Sequence, residues 1–182
     1  MAYMQRVALF PGSFDPFTRG HKTIVDDALK LFDRVVVAIG YNPDKRGMLD
    51  VEARKAIIER VYSNEPRVEV SLYTTLTGDE ARRVGATTIL RSVRNSIDFE
   101  YERTLQRANH HLYPELRTVF LMAHPDVEHI SSSLVRELRT FGRDVKEFMP
   151  EGIDLEEYTG DWNNRMKRYL KHYNNPCNLQ QR

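Results

Sequence analysis

Short apolar runs and amphipathic periods alternate along the 182 residues, and that alternation predicts most of the elements. Arg6 to Phe10 reads as a strand, His21 to Phe32 sets Ile24, Val25, Ala28, Leu29 and Phe32 on one helical face, and "RVVVAIG" (Arg34 to Gly40) is a β-branched run suited to a buried parallel strand. The pattern then repeats. A helix follows Asp50 ("VEARKAIIERVYS"), a strand runs from Arg67 to Tyr73, and "TGDE" opens a short helix in which Thr77 and Glu80 have capping-box spacing and Gly85 is placed to end it. Next come a strand at Thr87 to Arg91, a helix from about Ile97 to His111, a strand at Arg117 to Met122, and a helix from about Ser132 to Phe141 with Gly142 at its end. Strand–helix alternation of this kind predicts an α/β fold, a doubly wound parallel sheet of Rossmann-like, dinucleotide-binding type.

The last stretch breaks the pattern. Asp154 to Tyr173 is helix-compatible but polar, with Arg165, Lys167, Arg168 and Lys171 close together, and "NNPCNLQQR" has the composition of a frayed end. The expected division is one domain over residues 1–152, followed by a C-terminal helical extension and tail over 153–182.

Composition adds mostly exclusions. Lys+Arg number 27 against Asp+Glu 26, so no global field favours nucleic acid or a membrane surface. Cys177 is the single cysteine, which rules out an internal disulfide and cysteine-based metal clusters. No apolar run reaches membrane-span length, and "MAYMQRVALFPG" lacks the build of a signal peptide, so a cytoplasmic location with no membrane partner is expected.

The chemistry concentrates in the turn after the first strand, where open α/β sheets seat phosphates. In "PGSFDPFTRGH", Gly12 permits close backbone approach, Pro11 and Pro16 stiffen the loop, and Gly20 clears the start of the helix. His21 falls in the first helical turn, where the positive end of the helix dipole disfavours imidazolium and a neutral ring can still donate one hydrogen bond to a phosphoryl oxygen. The residues alone leave open whether this is an anion site or a stiff turn with a backbone-satisfied histidine. The dinucleotide fingerprint GxGxxG and the loop GxxxxGK(S/T) are both absent.

"PGSFDPFTRGH" resembles the TxGH signature of the nucleotidyltransferase superfamily, and its longer form PG(S/T)FDPxTxGH is similar to that of the pantetheine-phosphate adenylyltransferase family. "LRSVRNSIDFEYE" (Leu90 to Glu102), "ISSSLVRE" (Ile130 to Glu137) and "NPDKRGML" resemble three further segments of that family, and the likeness spans about Arg6 to Gly152. The resemblance implies transfer of the adenylyl group of ATP to 4′-phosphopantetheine, giving dephospho-coenzyme A and pyrophosphate. It also implies Mg2+ carried on the ATP phosphates, a homohexamer, and coenzyme A as a feedback ligand. A nucleophile that is already a phosphate oxygen requires no strong base, so positioning and charge neutralisation carry such a reaction.

By the same resemblance His21, Lys45 and Arg94 are the catalytic candidates. ATP contacts fall on Ser13, Phe14, His21, Ser92, Val93, Arg94 and Glu102, and on the turn Val127, Glu128, His129, Ile130, Ser131, Ser132 and Ser133. The acceptor falls to Ser13, Lys45, Leu76, Thr77 and Arg91. The residues themselves offer plainer readings: Lys45 as a solvated lysine beside Arg46, Glu102 as a helix carboxylate paired with Arg91 or Arg94, the serines as a helix cap. Two departures stand out. Ser92 replaces a common glycine, and Glu80 in "TLTGDEAR" replaces a common aromatic.

His124 and His129 in "HPDVEH" lack an evident third metal ligand, so no protein-held metal is expected. Rival functions are another transferase of the superfamily, acting on nicotinate mononucleotide or a phosphorylated alcohol, and an RNA-binding or docking module built on the tail "RMKRYLKHY". An aminoacyl-tRNA synthetase shares the signature but needs a far longer chain. A solvated or packed C-terminal helix fits the near-neutral charge better than RNA binding, and no nucleic-acid partner is expected.

Overall fold

Alternate residues of the first two strands face opposite ways, and two apolar cores form as a result. In the computed structural model, which describes residues 5–42, 47–162, 164 and 166, β1 (Val7–Gly12) sends Ala8 and Phe10 to one side and Val7 and Leu9 to the other. β2 (Arg34–Gly40) does the same with Val35, Val37 and Ile39 against Val36 and Ala38. A strand covered on both faces needs apolar residues at every position, which is what its unbroken β-branched run supplies.

The remaining elements are α1 (Arg19–Leu31), α2 (Val51–Val61), β3 (Val68–Tyr73), α3 (Thr77–Arg83), β4 (Thr88–Val93), α4 (Ser96–Leu112), β5 (Arg117–Met122) and α5 (Ser132–Thr140). The five strands are parallel in the order β3-β2-β1-β4-β5. The larger core joins the sheet to α1, α2 and α5 through Ile24, Val25, Ile57, Ile58 and Val135; the smaller lies on the α3 side around Ala81, Ile89 and Tyr113. Because the chain passes from β3 back across the sheet to β4, β1 and β4 diverge in their connections. That switch point, beyond Gly12 and Val93, is where a doubly wound sheet opens a crevice.

β2 and β5 match their predicted spans, whereas β1 and β4 each run two residues further than predicted. Pro11 stays in register opposite Ala38 although it has no N–H to give. α1 begins at Arg19 rather than His21 because Thr18 caps it. The capping box predicted for Thr77 and Glu80 does not form. Leu76 is the N-cap without a side-chain bond, the Thr77 hydroxyl meets that of Tyr73, and Glu80, buried, accepts from Arg83 at 2.6 and 2.7 Å. A charge-assisted pair one turn away outcompetes a bond to a helix-end N–H that water can satisfy.

The predicted helix from Asp154 also differs. Leu155–Tyr158 is a 3-10 turn, Gly160 has φ +48, and Ile153, Leu155 and Trp162 bury in the larger core. The basic run from Arg165 to Tyr173 lies outside the described residues apart from Met166.

Candidate active site

The loop from Pro11 to Thr18 is held by its carbonyls. Arg91 Nη1 donates to Pro11 O at 3.3 Å, Arg54 Nη1 to Ser13 O at 3.3 Å, Arg136 Nη1 to Asp15 O at 2.7 Å, and the Ser132 hydroxyl to Pro16 O at 2.9 Å. Donors from β4, α2 and α5 therefore occupy the acceptors that would otherwise repel a phosphate. Phe14 is the one non-glycine residue with positive φ (+47) among the described residues, and it turns its ring inward against Phe10 and Phe17. That fold-back explains Gly12: a Cβ there would sit 2.8 Å from the Phe14 ring.

His21 occupies the third position of α1. The Thr18 N–H donates to its Nδ1 at 3.0 Å while the Thr18 hydroxyl accepts from the His21 N–H at 3.4 Å, a reciprocal cap with histidine in the place of the usual glutamate or glutamine. Since Nδ1 accepts a backbone N–H, the ring proton resides on Nε2. The rings of Phe14, Phe17 and Phe10 surround it, with centroids 5.1, 5.5 and 6.4 Å away. Burial pushes the pKa of His21 down from 6.5 to about 4, and the nearby Arg94 charge adds to the effect. The dipole argument made from sequence reaches the same neutral state, but desolvation is the larger cause.

Between its unfolded and folded values the unfolded chain binds the proton and the folded one does not. The contribution of His21 to stability is therefore whole above pH 6.5 and declines as pH falls toward 4. A 15N NMR titration of the imidazoles is expected to find His21 neutral and Nε2-protonated down to about pH 4, with its pKa raised in Arg94→Ala. An ordinary value near 6.5 would show the ring to be solvated.

Two cavities meet at this histidine. One of about 360 Å3 is lined by Ser13, His21, Ser92, Arg94, Glu102 and Ser131–Ser133, with Asp98 and Tyr101 at its edge. The other, about 210 Å3, is lined by Pro11, Gly12, Phe14 and Arg91, and the two share Ser13, His21, Ser92, Glu102 and Ser132. Arg91 and Glu102 form a bidentate pair at 2.5 and 2.7 Å, while Arg94 pairs with Asp98 at 2.7 Å, so Glu102 takes Arg91 of its two candidate partners. Ser131 caps α5 through the Leu134 N–H at 3.1 Å, the Ser132 hydroxyl is the one that donates to Pro16 O, and the Ser133 hydroxyl accepts from Arg136 Nη2 at 3.1 Å, so the first N–H groups of the helix are what this end offers an anion at the cavity. Ser92 does not require positive φ, so serine is unstrained where glycine is common.

The other proposed residues divide between the cavities and the rest of the molecule. Val93, Val127 and Ile130 are buried, the latter two lining the larger cavity, whereas Glu128 and His129 are exposed and line neither. Leu76, 57% exposed, and Thr77 also line neither, and Glu80 faces Arg83 instead of a cavity. His124 faces Asp27 at 3.8 Å and His129 lies edge-on to Phe148, so these histidines diverge. Lys45 lies outside the described residues, which resume at Gly47.

Sequence reasoning missed Asp15, Arg54, Arg136, Asp98 and Tyr101. All but Arg54 lie inside motifs already quoted, Asp15 in "PGSFDPFTRGH", Asp98 and Tyr101 in "LRSVRNSIDFEYE" and Arg136 in "ISSSLVRE", and that company was the available signal. No helix of the described residues is long and apolar enough to cross a membrane.

The cytidylyltransferase-like family model matches residues 9–138. The chain is 49% identical over 152 residues to the phosphopantetheine adenylyltransferase of Porphyromonas gingivalis, covering 84% of this chain and 99% of that protein. It is 42% identical over 150 residues to the enzyme of the same name from Cytophaga hutchinsonii, covering 82% and 100%. Among solved structures, the bifunctional NMN adenylyltransferase/ADP ribose pyrophosphatase of Francisella tularensis aligns with 92% of the chain at a TM-score of 0.62 and 17% identity. The chain spans half the length of that bifunctional protein, and the likeness is one of fold. Identity at this level over nearly the whole of its relatives, together with the crevice at the switch point, establishes that the chain belongs to the phosphopantetheine adenylyltransferase family.

Proposed function

We propose that the two cavities meeting at His21 receive ATP and 4′-phosphopantetheine, and that the protein joins them to give dephospho-coenzyme A and pyrophosphate, a late step of coenzyme A synthesis. The observation that carries this reading is the shared lining. Ser13, His21, Ser92, Glu102 and Ser132 border both spaces, so two phosphates can approach one imidazole from two sides.

An oxygen of the acceptor phosphate forms a bond to the α-phosphorus of ATP, the bond from that phosphorus to the β-bridging oxygen breaks, and pyrophosphate leaves. The attacking oxygen is already anionic. Charge accumulates on the α-phosphoryl oxygens, where a neutral Nε2–H of His21 donates a hydrogen bond without bringing a proton that could be lost. Arg94 and the N-terminus of α5 at Ser131–Ser133 take the β- and γ-phosphates, and Arg91 takes the acceptor phosphate from the smaller cavity. Lys45 is assigned to the same phosphates by family resemblance.

Magnesium fits this site as an ion carried on ATP. The two carboxylates of the nucleotide cavity, Asp98 and Glu102, are each engaged by an arginine, and among the described residues no three His, Cys, Asp or Glu side chains converge. When bound, it supplies neutralisation of the pyrophosphate leaving group. Coenzyme A, which contains the product's pantetheine and adenylate parts, is proposed as a feedback ligand of the same cavities, in a cytoplasmic setting.

We also propose self-association, up to the hexamer of the family, through α4. No residue of this 17-residue helix is buried, and Ile97, Tyr101 and Leu112 stand 80%, 65% and 54% exposed. Light scattering is expected to find an oligomer that Ile97→Glu with Leu112→Glu reduces in size. A monomeric wild type would remove this part of the proposal.

The function is tested by magnesium-dependent pyrophosphate release from ATP with 4′-phosphopantetheine, nicotinate mononucleotide or glycerol phosphate. Release with the first alone is expected. No observation favours the rival acceptors or RNA binding, and release with another acceptor would reassign the substrate.

A further inference from the structure

Two arginines from different helices hold the phosphate loop by its carbonyls: Arg54 of α2 at Ser13 and Arg136 of α5 at Asp15. Whatever fixes α2 relative to α5 therefore also fixes the loop, and with it the nucleotide cavity that Ser13 and Arg136 line. The segment after Gly152 is bonded to both helices. Glu157 and the Tyr158 hydroxyl accept from Arg60 Nη1, near the end of α2, at 2.6 and 3.2 Å, while Glu156 pairs with Arg139 of α5. Alongside these anchors Ile153 and Leu155 bury in the larger core.

Glu156 and Glu157 are 51% and 55% exposed, and ion pairs of that kind contribute little alone, so the cross-link depends on its apolar members. Trp162 is the largest of them. The chain turns at Gly160, with φ +48, and the Trp162 N–H donates to Thr159 O at 2.9 Å, which brings the indole back into the same core. There it borders a cavity of about 940 Å3 together with Asp50, Val51 and Arg54 at the start of α2 and Arg136 and Thr140 of α5. That cavity adjoins the nucleotide cavity, since Ser13 and Arg136 line both. The Porphyromonas and Cytophaga relatives have no residue that corresponds to this tryptophan. They match 152 and 150 residues along almost their whole length, and since the family match already begins at residue 9, matches of that length end before Trp162.

We propose that residues 153–162 are a brace between α2 and α5, with Trp162 the positioning residue that sets Arg54 and Arg136 on the phosphate loop and so tunes the hold on the nucleotide. Arg91, assigned to the acceptor, comes from β4 and lies outside the brace, so loosening the brace weakens ATP far more than the acceptor. The proposal rests on the assignment of ATP to the cavity that Arg136 lines.

The test is calorimetric titration of ATP and of 4′-phosphopantetheine into wild type, Trp162→Ala and Trp162→Phe, with hydrogen exchange of residues 13–18 read in the same proteins. Trp162→Ala is expected to bind ATP about tenfold more weakly, to change acceptor affinity less than about twofold, and to exchange faster at residues 13–18. Trp162→Phe, which returns an aromatic ring to the core, is expected to recover most of both losses. Should Trp162→Ala not fold, Trp162→Leu takes its place with the same selective loss expected. Unchanged ATP affinity or unchanged exchange in a folded variant, or equal losses for the two ligands, would overturn the brace as a positioning device and leave a segment that only covers the core. Wild type that binds no ATP would refute the assignment of the cavity, and the proposal with it, whatever the exchange rates.

Discussion

His21→Ala is expected to lower turnover about 10²–10³-fold, the usual consequence of removing one preorganised donor from a developing phosphoryl charge. KM for ATP is expected to change little, because the donor matters most where charge develops. The fold should persist: the ring's structural bond is to the Thr18 N–H at the start of α1, and losing such a cap typically costs about 1 kcal/mol. His21→Gln provides the sharper comparison. Glutamine can keep the reciprocal cap with Thr18, so restored melting without restored turnover would separate the structural role of Nδ1 from the chemical role of Nε2. A His21→Ala enzyme with near-normal kcat would show that the charge is met by arginines and helix N–H groups alone.

Arg91→Ala should be at least as damaging, for a different reason. Arg91 gives Nε and Nη2 to Glu102 and Nη1 to Pro11 O. Removing it takes away the cation assigned to the acceptor phosphate and leaves the Glu102 carboxylate unpaired where an anion must bind. Breaking a charge pair of this kind commonly costs about 2–5 kcal/mol in binding, so kcat/KM is expected to fall on the order of 10²–10³-fold, mostly through KM for the acceptor. The companion variant decides between the two causes. Arg91→Ala with Glu102→Gln is expected to recover part of the loss, because neutralising Glu102 removes the repulsion but does not replace the guanidinium. A double variant no better than Arg91→Ala would mean that Glu102 exerts no field on the acceptor.

Much of the fold is legible in the chain because a parallel sheet buried on both faces forces unbroken apolar runs such as "RVVVAIG". Turn chemistry was legible too, as in Gly85 and Gly142 with φ of +72 and +71. Element ends were harder to read. Pro11 looks like a strand terminator, yet it stays in register opposite Ala38 of β2, past Leu9, the last β1 position paired with β4. The cap made by His21 hides because histidine is not the expected third residue of a capping box.

In the site, "TRGH" and "ISSSLVRE" could be found because the residues that shape each turn are neighbours in sequence. Arg54 could not, since on α2 it reads as one more helix cation until the fold brings it under a loop about forty positions earlier. Glu102 had two plausible arginine partners, eight and eleven residues earlier in the chain, and only the geometry of β4 against α4 chose Arg91. Conversely, Leu76 and Thr77 came from likeness alone, and the cavities that meet at His21 do not include them.

The most direct measurement of the proposed chemistry is the fate of label from ATP. With 4′-phosphopantetheine, magnesium and the purified chain, label at the α-phosphorus is expected in dephospho-coenzyme A and label at the γ-phosphorus in pyrophosphate, in equal amounts. Formation of ADP, or no labelled dephospho-coenzyme A from folded protein that binds ATP, would contradict transfer at the cavity junction around His21.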